Sequence, residues 1–216
     1  MLRNLYIVII FLLATNQLFG QGFKLGVFFD PTVSWLRSDV EDVKREQARV
    51  GFDFGVSADY FFSQNYAFAT GISLYNTGGT LKYNNPYLLR TKDGSVQIAT
   101  GGNVKYKIQY IKIPVALKFK THMIGRYIYS VNLGFDPMLR VSARANYSNV
   151  KNVKATQATN LFNLGLHFGA GAQYSLGKDF AVFGGLTFMS TLLDMTSPAH
   201  DKITSNNLIF RIGLMF

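Results

Sequence analysis

The three histidines are the residues of this sequence that could carry acid–base chemistry. A catalytic histidine needs a nucleophile or an orienting carboxylate within hydrogen-bond reach. His200 follows Ser197 closely and precedes Asp201, whereas His122 lies in a predicted turn and His167 lies in a predicted strand. Neighbouring positions in a sequence do not make a triad, and a histidine in a polar loop is ordinarily solvated. We therefore predict no catalytic residue and no enzyme, and keep a lipid-modifying site at His200 as the third choice of function.

The composition excludes several other kinds of site. The chain contains no cysteine, so it has no thiolate nucleophile, no cysteine metal ligand and no disulfide. No Walker loop or nucleotide-binding glycine motif precedes a predicted helix, and no histidine set has metal-ligand spacing. We accordingly predict neither a cofactor nor a metal ion.

A set of charged residues recurs on the polar face of stretches in which every second side chain is large and apolar. The set comprises Asp30, Arg49, Asp53, Asp59, Lys112, Lys118, Asp136, Arg140, Arg144 and Arg211. In a narrow interior of low dielectric constant, each buried charge needs a partner of opposite sign. We predict that this set forms a network of structural ion pairs. The alternative is a narrow pore that prefers small solutes or anions.

The alternation has a period of two, which is typical of β-strands with two unlike faces. It recurs about eight times and is clearest over residues 208–216. The predicted strands span 21–35, 48–62, 66–80, 104–121, 127–147, 159–176, 180–193 and 208–216. They predict an all-β fold, an eight-stranded antiparallel transmembrane β-barrel with up-and-down topology. Pro114 interrupts the fourth strand, so we expect a bulge or a local bend there.

The predicted connections alternate between short and long, as they do in barrels with short periplasmic turns and longer extracellular loops. The short ones are 63–65, 122–126 and 177–179, and the long ones are 36–47, 81–103, 148–158 and 194–204. Residues 36–47 are highly charged and 81–103 form the longest polar stretch. We expect a protein partner to dock through these two loops.

The first residues have the features of an export signal. Arg3 supplies the positive start, and residues 6–14 form an apolar core that is too short to span a bilayer as a helix. We predict cleavage after Gly20, which divides the chain into a signal peptide, 1–20, and a barrel domain, 21–216. Export combined with a barrel predicts a multi-pass protein of the bacterial outer membrane.

The charge balance of the chain is basic, with 22 lysines and arginines against 12 aspartates and glutamates. Such a balance is common in nucleic-acid-binding proteins. Export to the cell envelope argues against nucleic acid as a partner, so we predict none. Outer-membrane lipid and anionic lipopolysaccharide are the expected counter-charges.

Aromatic residues on the apolar face lie near the predicted strand ends, where barrels carry interfacial girdles. The predicted girdle comprises Trp35, Tyr60, Tyr66, Tyr127, Tyr129, Tyr147, Tyr174 and Phe216. A stripe of stacking aromatics for ligand binding is a minor alternative, because these residues share the lipid-facing parity.

Two runs resemble a known family. The opening run 21–27 (QGFKLGV) and the fourth-strand run 110–119 (YIKIPVALKF) are similar to the PorT-like outer-membrane β-barrel proteins of Bacteroidota, which are small barrels of the OmpA/OmpX kind. The resemblance covers the whole mature chain and implies the barrel fold. The namesake of the family takes part in type IX secretion and gliding, whereas most relatives have no assigned role. We therefore predict a structural or interaction scaffold, an accessory subunit of an envelope or secretion complex.

Overall fold

The computed structural model describes residues 22–91, 94–148, 150–177, 180–196 and 202–216. The predicted signal peptide and the predicted site at His200 lie outside these residues. Within the described ranges, no helix is both long enough and apolar enough to cross a membrane.

Strands account for most of the described chain. They are β1 (Phe23–Ser38), β2 (Val43–Phe61), β3 (Tyr66–Tyr83), β4 (Tyr87–Thr91), β5 (Gly94–Ile98), β6 (Gly102–Lys112), β7 (Val115–Lys120), β8 (Tyr127–Tyr147), β9 (Val150–Lys154), β10 (Phe162–Ser175), β11 (Ala181–Thr191) and β12 (Ile203–Met215). One 3-10 turn, Thr156–Ala158, follows β9.

The long strands close into a ring. β1 pairs with β2, β2 with β3, β8 with β10, β10 with β11, β11 with β12, and β12 returns to β1, all antiparallel. β6 and β7 follow each other in one position of the wall, because both pair with β3 on one side and with β8 on the other. The wall therefore has eight positions. The predicted all-β, eight-stranded antiparallel barrel is confirmed.

The break between β6 and β7 falls at Ile113 and Pro114. The proline nitrogen cannot donate a hydrogen bond to the sheet. The amide of Ile113 donates to the carbonyl of Pro137 on β8 at 3.0 Å, and pairing resumes at Val115. The predicted irregularity at Pro114 is therefore a gap of two residues within one wall position.

The two ends of the barrel differ in their connections. The connections from β2 to β3, from β7 to β8 and from β10 to β11 lie at one end, and Gly22 and Phe216 lie at the same end. We call it the short-turn end, and the opposite end the long-connection end. At the long-connection end β4 and β5 form a separate hairpin, and β9 folds back on β8.

Three of the predicted long loops are wrong as loops. Residues 36–47 belong mostly to β1 and β2, which meet in a turn of only residues 39–42. Residues 81–103 contain the β4–β5 hairpin, and 148–158 contain β9 and the 3-10 turn. The strands continue beyond the apolar belt of the wall. In that region the two faces of a strand no longer need to differ in polarity. The period-two signal therefore fades before the strand ends.

The outer face of the wall carries a continuous belt of exposed apolar side chains. Phe29, Phe54, Phe68, Leu133 and Phe168 are each between 44 and 57 % exposed, although they lie in mid-strand. Positions adjacent to them in sequence point inward and are buried, for example Asp30 and Asp53. An apolar exterior and a polar interior are the inverse of a water-soluble sheet, as expected for strands that face lipid.

Candidate functional site in the barrel interior

The described residues form four ion pairs, all inside the barrel. Lys112 pairs with Asp53, and Lys118 Nζ lies 2.6 Å from Asp59 Oδ2. His167 Nδ1 lies 2.9 Å from Asp136 Oδ2, and Arg211 Nε lies 3.1 Å from Asp30 Oδ2. The structure thus brings seven of the ten predicted network residues into pairs, and His167 is an eighth member.

The two lysine pairs span the interior rather than neighbouring strands. Asp53 and Asp59 lie on β2, whereas Lys112 and Lys118 lie on β6 and β7, with β3 between them. The lysine side chains therefore reach across the inner face of β3. Asp53 is fully buried and Lys112 is 4 % exposed, so both charges have lost their hydration. The ion pair between them is the main compensation for that loss.

Asp30 has a second role in closing the ring. The pairing of β1 with β12 is interrupted between Thr32 and Phe28, around Pro31. The second carboxylate oxygen of Asp30 accepts a hydrogen bond from the backbone amide of Ile212 at 3.0 Å. A buried side chain thus satisfies a backbone donor where regular pairing stops, at the seam between the first and last strands.

His167 is the interior residue that the sequence did not assign to the network. It is 7 % exposed, and Asp136 is its hydrogen-bond partner within the described chain. The sequence contained the information needed to include His167 in the network, because it is a titratable side chain at an inward position of β10. No hydroxyl hydrogen-bonds to this histidine among the described residues, so the pair lacks the nucleophile of a triad. The described residues also hold no cluster of three or more candidate metal ligands.

Arg144 was predicted to point inward and does not. Gln109 pairs with Ser142 and Tyr110 pairs with Arg140, so one extra residue, Val141, is inserted into β8. A bulge of one residue moves every following side chain to the other face. Arg144 is consequently exposed, whereas its neighbours Ala143 and Ala145 are buried.

Arg49 and Arg140 hold backbone rather than carboxylates. Arg49 Nη1 donates to the carbonyl of Thr77. Arg140 Nη1 donates to the carbonyls of Thr156 and Thr159 and, at 2.6 Å, to the hydroxyl of Thr159. Arg140 thereby fastens the segment 155–159 against the long-connection end of the barrel.

Arg140→Ala is expected to release the segment 155–159, whereas Arg144→Ala is not. The first substitution removes hydrogen bonds to a charged donor, worth roughly 1.5–3 kcal/mol, and the second removes an exposed side chain. Hydrogen exchange of the amides of Ala155 and Ala158 measures the difference. Equal protection in the two variants would contradict the assigned role of Arg140.

The interior of the long-connection half is a buried aromatic core. Tyr75, Tyr83, Tyr106 and Tyr110 are at most 2 % exposed and pack with Met138 and Met189. The hydroxyls of Tyr83 and Tyr106 lie 2.9 Å apart. Leu89 and Ile98 of the β4–β5 hairpin are buried against the same cluster, so the hairpin covers this core.

The interior of the short-turn half is a polar cavity. Its lining includes Asp59, Lys118, Asn132, Asp136 and Arg211. A second cavity lies at the short-turn end, where Lys24 and Phe216 contribute to its walls. The barrel interior is thus divided along its axis into a charged half and an aromatic half.

Most of the predicted girdle residues line one rim. Tyr60, Tyr66, Tyr127 and Tyr129 are 45–49 % exposed at the short-turn end, and the ring centroid of Tyr174 lies 5.1 Å from that of Tyr127, with the two rings tilted. The backbone of Phe216 pairs with Leu25 at the same end. Trp35 lies toward the opposite rim, 6.4 Å from Phe188. Tyr147 differs, because it is half-buried against the aromatic core above the belt.

Comparison with known proteins agrees with this architecture. Residues 15–194 match the family described as the outer membrane protein beta-barrel domain. The match spans most of the chain, so the chain belongs to that family and is a protein of the bacterial outer membrane. No curated protein matches the chain.

Solved structures of small barrels are also similar. Neisserial surface protein A (NspA) is 12 % identical, with 90 % of this chain and 96 % of that chain covered and a TM-score of 0.49. OprG of Pseudomonas aeruginosa gives 12 % identity, 90 % and 94 % coverage and a TM-score of 0.49. The attachment invasion locus protein Ail of Yersinia pestis gives 13 %, 91 % and 99 %, with a TM-score of 0.40.

Proposed function

We propose that this outer-membrane β-barrel is a non-catalytic scaffold with a closed lumen, an accessory subunit of an envelope complex of the PorT-like kind. The observation that carries the proposal is the aromatic core that fills the long-connection half of the barrel. Short turns face the periplasm in barrels of this type, so the long-connection end is extracellular. The lumen is then closed on the outside and accessible from the periplasm only.

The closure is built from all sides of the ring. Tyr75 comes from β3, Tyr106 and Tyr110 from β6, Met138 from β8 and Met189 from β11, and all are at most 1 % exposed. Eight strands leave an interior just wide enough for side chains to fill. A solute or anion pore, the alternative function, would need this core and the hairpin above it to move aside.

The extracellular extension is the surface that remains for a partner. β2, β3, β6 and β8 rise beyond the apolar belt, and the β4–β5 hairpin lies over the core. The segments 36–47 and 81–103 contribute the β1–β2 turn and this hairpin. Leu88 on the hairpin is 55 % exposed, an apolar contact point away from the lipid belt.

Planar-bilayer recording of the purified barrel tests the closed lumen. The wild-type protein is expected to give no unitary conductance. Tyr75→Ala with Tyr106→Ala removes two rings from the aromatic core and is expected to produce measurable conductance. Tyr129→Ala, in the girdle, is expected to leave the barrel without conductance. Steady conductance from the wild type, with an ion selectivity that Lys118→Met alters, would contradict the closed scaffold and support the pore.

Affinity purification from mildly solubilised outer membrane tests the accessory role. A stoichiometric partner that is lost on Leu88→Ser, but retained on Tyr129→Ala, supports docking through the hairpin. Recovery of the barrel alone from cross-linked membranes would contradict it.

A further inference from the structure

The outer face of the extracellular extension carries a stripe of basic residues on adjacent strands. We call it the basic stripe; it comprises Lys82, Lys105, Lys107, Arg144 and Lys154. Lys107 of β6 is directly opposite Arg144 of β8, and Arg144 is opposite Lys154 of β9. Residues opposite each other share a face of the sheet, and like charges in that arrangement destabilise it. Three cations in one row therefore need compensation from elsewhere.

The described part of the chain does not supply that compensation. All four salt bridges among these residues lie inside the barrel, and none involves the basic stripe. Lys107 Nζ donates instead to the side-chain oxygen of Asn152 at 3.1 Å, which is a neutral acceptor. The backbone amide of Asn152 in turn donates to Asn146 Oδ1 at 2.7 Å. Within the described ranges, no carboxylate lies within salt-bridge distance of these cations.

The height of the stripe above the lipid belt identifies the source of the counter-charge. Ile111 is the last apolar outward residue of β6, and Lys107 lies four residues further along the strand. At ~3.3 Å per residue and the usual strand tilt, Lys107 is about 10 Å above the belt. Anionic groups attached to outer-leaflet lipids lie at such a height, next to the wall rather than above the barrel.

We infer that the basic stripe binds phosphate groups of lipopolysaccharide in the surrounding outer leaflet. Lysine and arginine are the residues that bind phosphate, as a point charge and as a planar fork respectively. A phosphate anchored in the leaflet is presented to the stripe at a fixed height and high local concentration, which free phosphate is not. The binding does not depend on whether the lumen conducts.

Binding of bisphosphorylated lipid A to the full-length mature barrel in neutral detergent, at physiological ionic strength, tests this inference. Lys107→Gln with Arg144→Gln is expected to weaken binding roughly thirtyfold, since each cation near an anionic lipid contributes about a factor of five. The matched control is Arg37→Gln with Lys202→Gln, which removes two exposed extracellular cations on β1 and beside β12. The control is expected to change the affinity less than about twofold.

Stability separates lost binding from lost folding. In neutral detergent without lipid A, the Lys107→Gln, Arg144→Gln variant is expected to unfold at the same or a higher urea concentration than the wild type, because like-charge repulsion is removed. Lipid A from which both phosphates have been removed is expected to bind the wild type as weakly as it binds this variant. Equal loss of affinity in both double variants, or inorganic phosphate binding as tightly as lipid A, would overturn the inference.

Discussion

Lys112→Met is expected to lower the free energy of unfolding by about 3–5 kcal/mol, the usual cost of leaving a buried charge without its partner. Asp53 is fully buried, and its ion pair with Lys112 crosses the inner face of β3. Lys112 also lies over the ring of Tyr75, with its Nζ 5.1 Å from the ring centroid. Removing the ammonium group therefore affects both the charged half of the interior and the edge of the aromatic core.

Urea unfolding in lipid vesicles measures this loss, and two variants make it specific. Lys112→Met with Asp53→Asn removes both charges and is expected to recover most of the stability, because no unpaired ion remains. Lys118→Met is the matched single variant. The Lys118 side chain is 16 % exposed against 5 % for Lys112, so water can compensate Asp59 and the loss should be smaller. Equal losses for the two lysines would contradict the importance of burial.

The sequence predicted which side chains enter the interior, but not which of them meet. Period-two alternation assigns Asp53 and Lys112 to the same inner surface, whatever the neighbouring strands do. Their pairing depends on the stagger of strands around the ring, which places β6 at the height of β2 across β3. Stagger is a property of closure and has no local sequence signal. His167 was missed for the same reason, since its partner lies on another strand.

The orientation of the side chains in the second half of β8 could not be predicted from the local sequence. A single inserted residue at Val141 reverses the faces of everything after it, so Arg144 becomes a surface cation and Ala143 a core residue. Nothing in the run around Val141 distinguishes a bulge from regular strand, because apolar and charged residues alternate through it. The bulge follows from matching β8 to β6, and Arg144 belongs to the basic stripe only because of it.

The loops at the long-connection end were mispredicted because the surroundings of the strands change there. Below the upper rim, lipid requires apolar outward residues and the alternation is strong. Above it, water surrounds the outer face, so lysines can replace the apolar residues there. Lys44 of β2 and Lys82 of β3, for example, are opposite each other in the register of the two strands. A strand with polar residues outside and scattered apolar residues inside resembles a loop in sequence. Pairing with a neighbour then decides the structure.

Gly78→Ala is expected to lower the free energy of unfolding by at least about 3 kcal/mol, or to prevent folding, because backbone strain and a steric clash combine. Gly78 has a φ of +145°, a backbone conformation that residues with a side chain rarely adopt. A Cβ at this position would overlap the carbonyl oxygen of Tyr106. Its amide and carbonyl both hydrogen-bond the hydroxyl of Ser34, at 3.1 and 2.8 Å. The glycine therefore cannot move away from β6 without breaking contacts to β1.

Gly94→Ala separates the two causes. Gly94 has a similar φ of +131°, but nothing lies within 4 Å of the position that a Cβ would take, so only the strain of about 1–3 kcal/mol applies. Urea unfolding of both variants isolates the cost of the close approach between β3 and β6. Since Tyr106 belongs to the aromatic core, displacement of its backbone in Gly78→Ala should also admit ions through the lumen. A Gly78→Ala barrel as stable as Gly94→Ala would show that β3 and β6 can separate without cost, and the aromatic core would then be weaker than its burial implies.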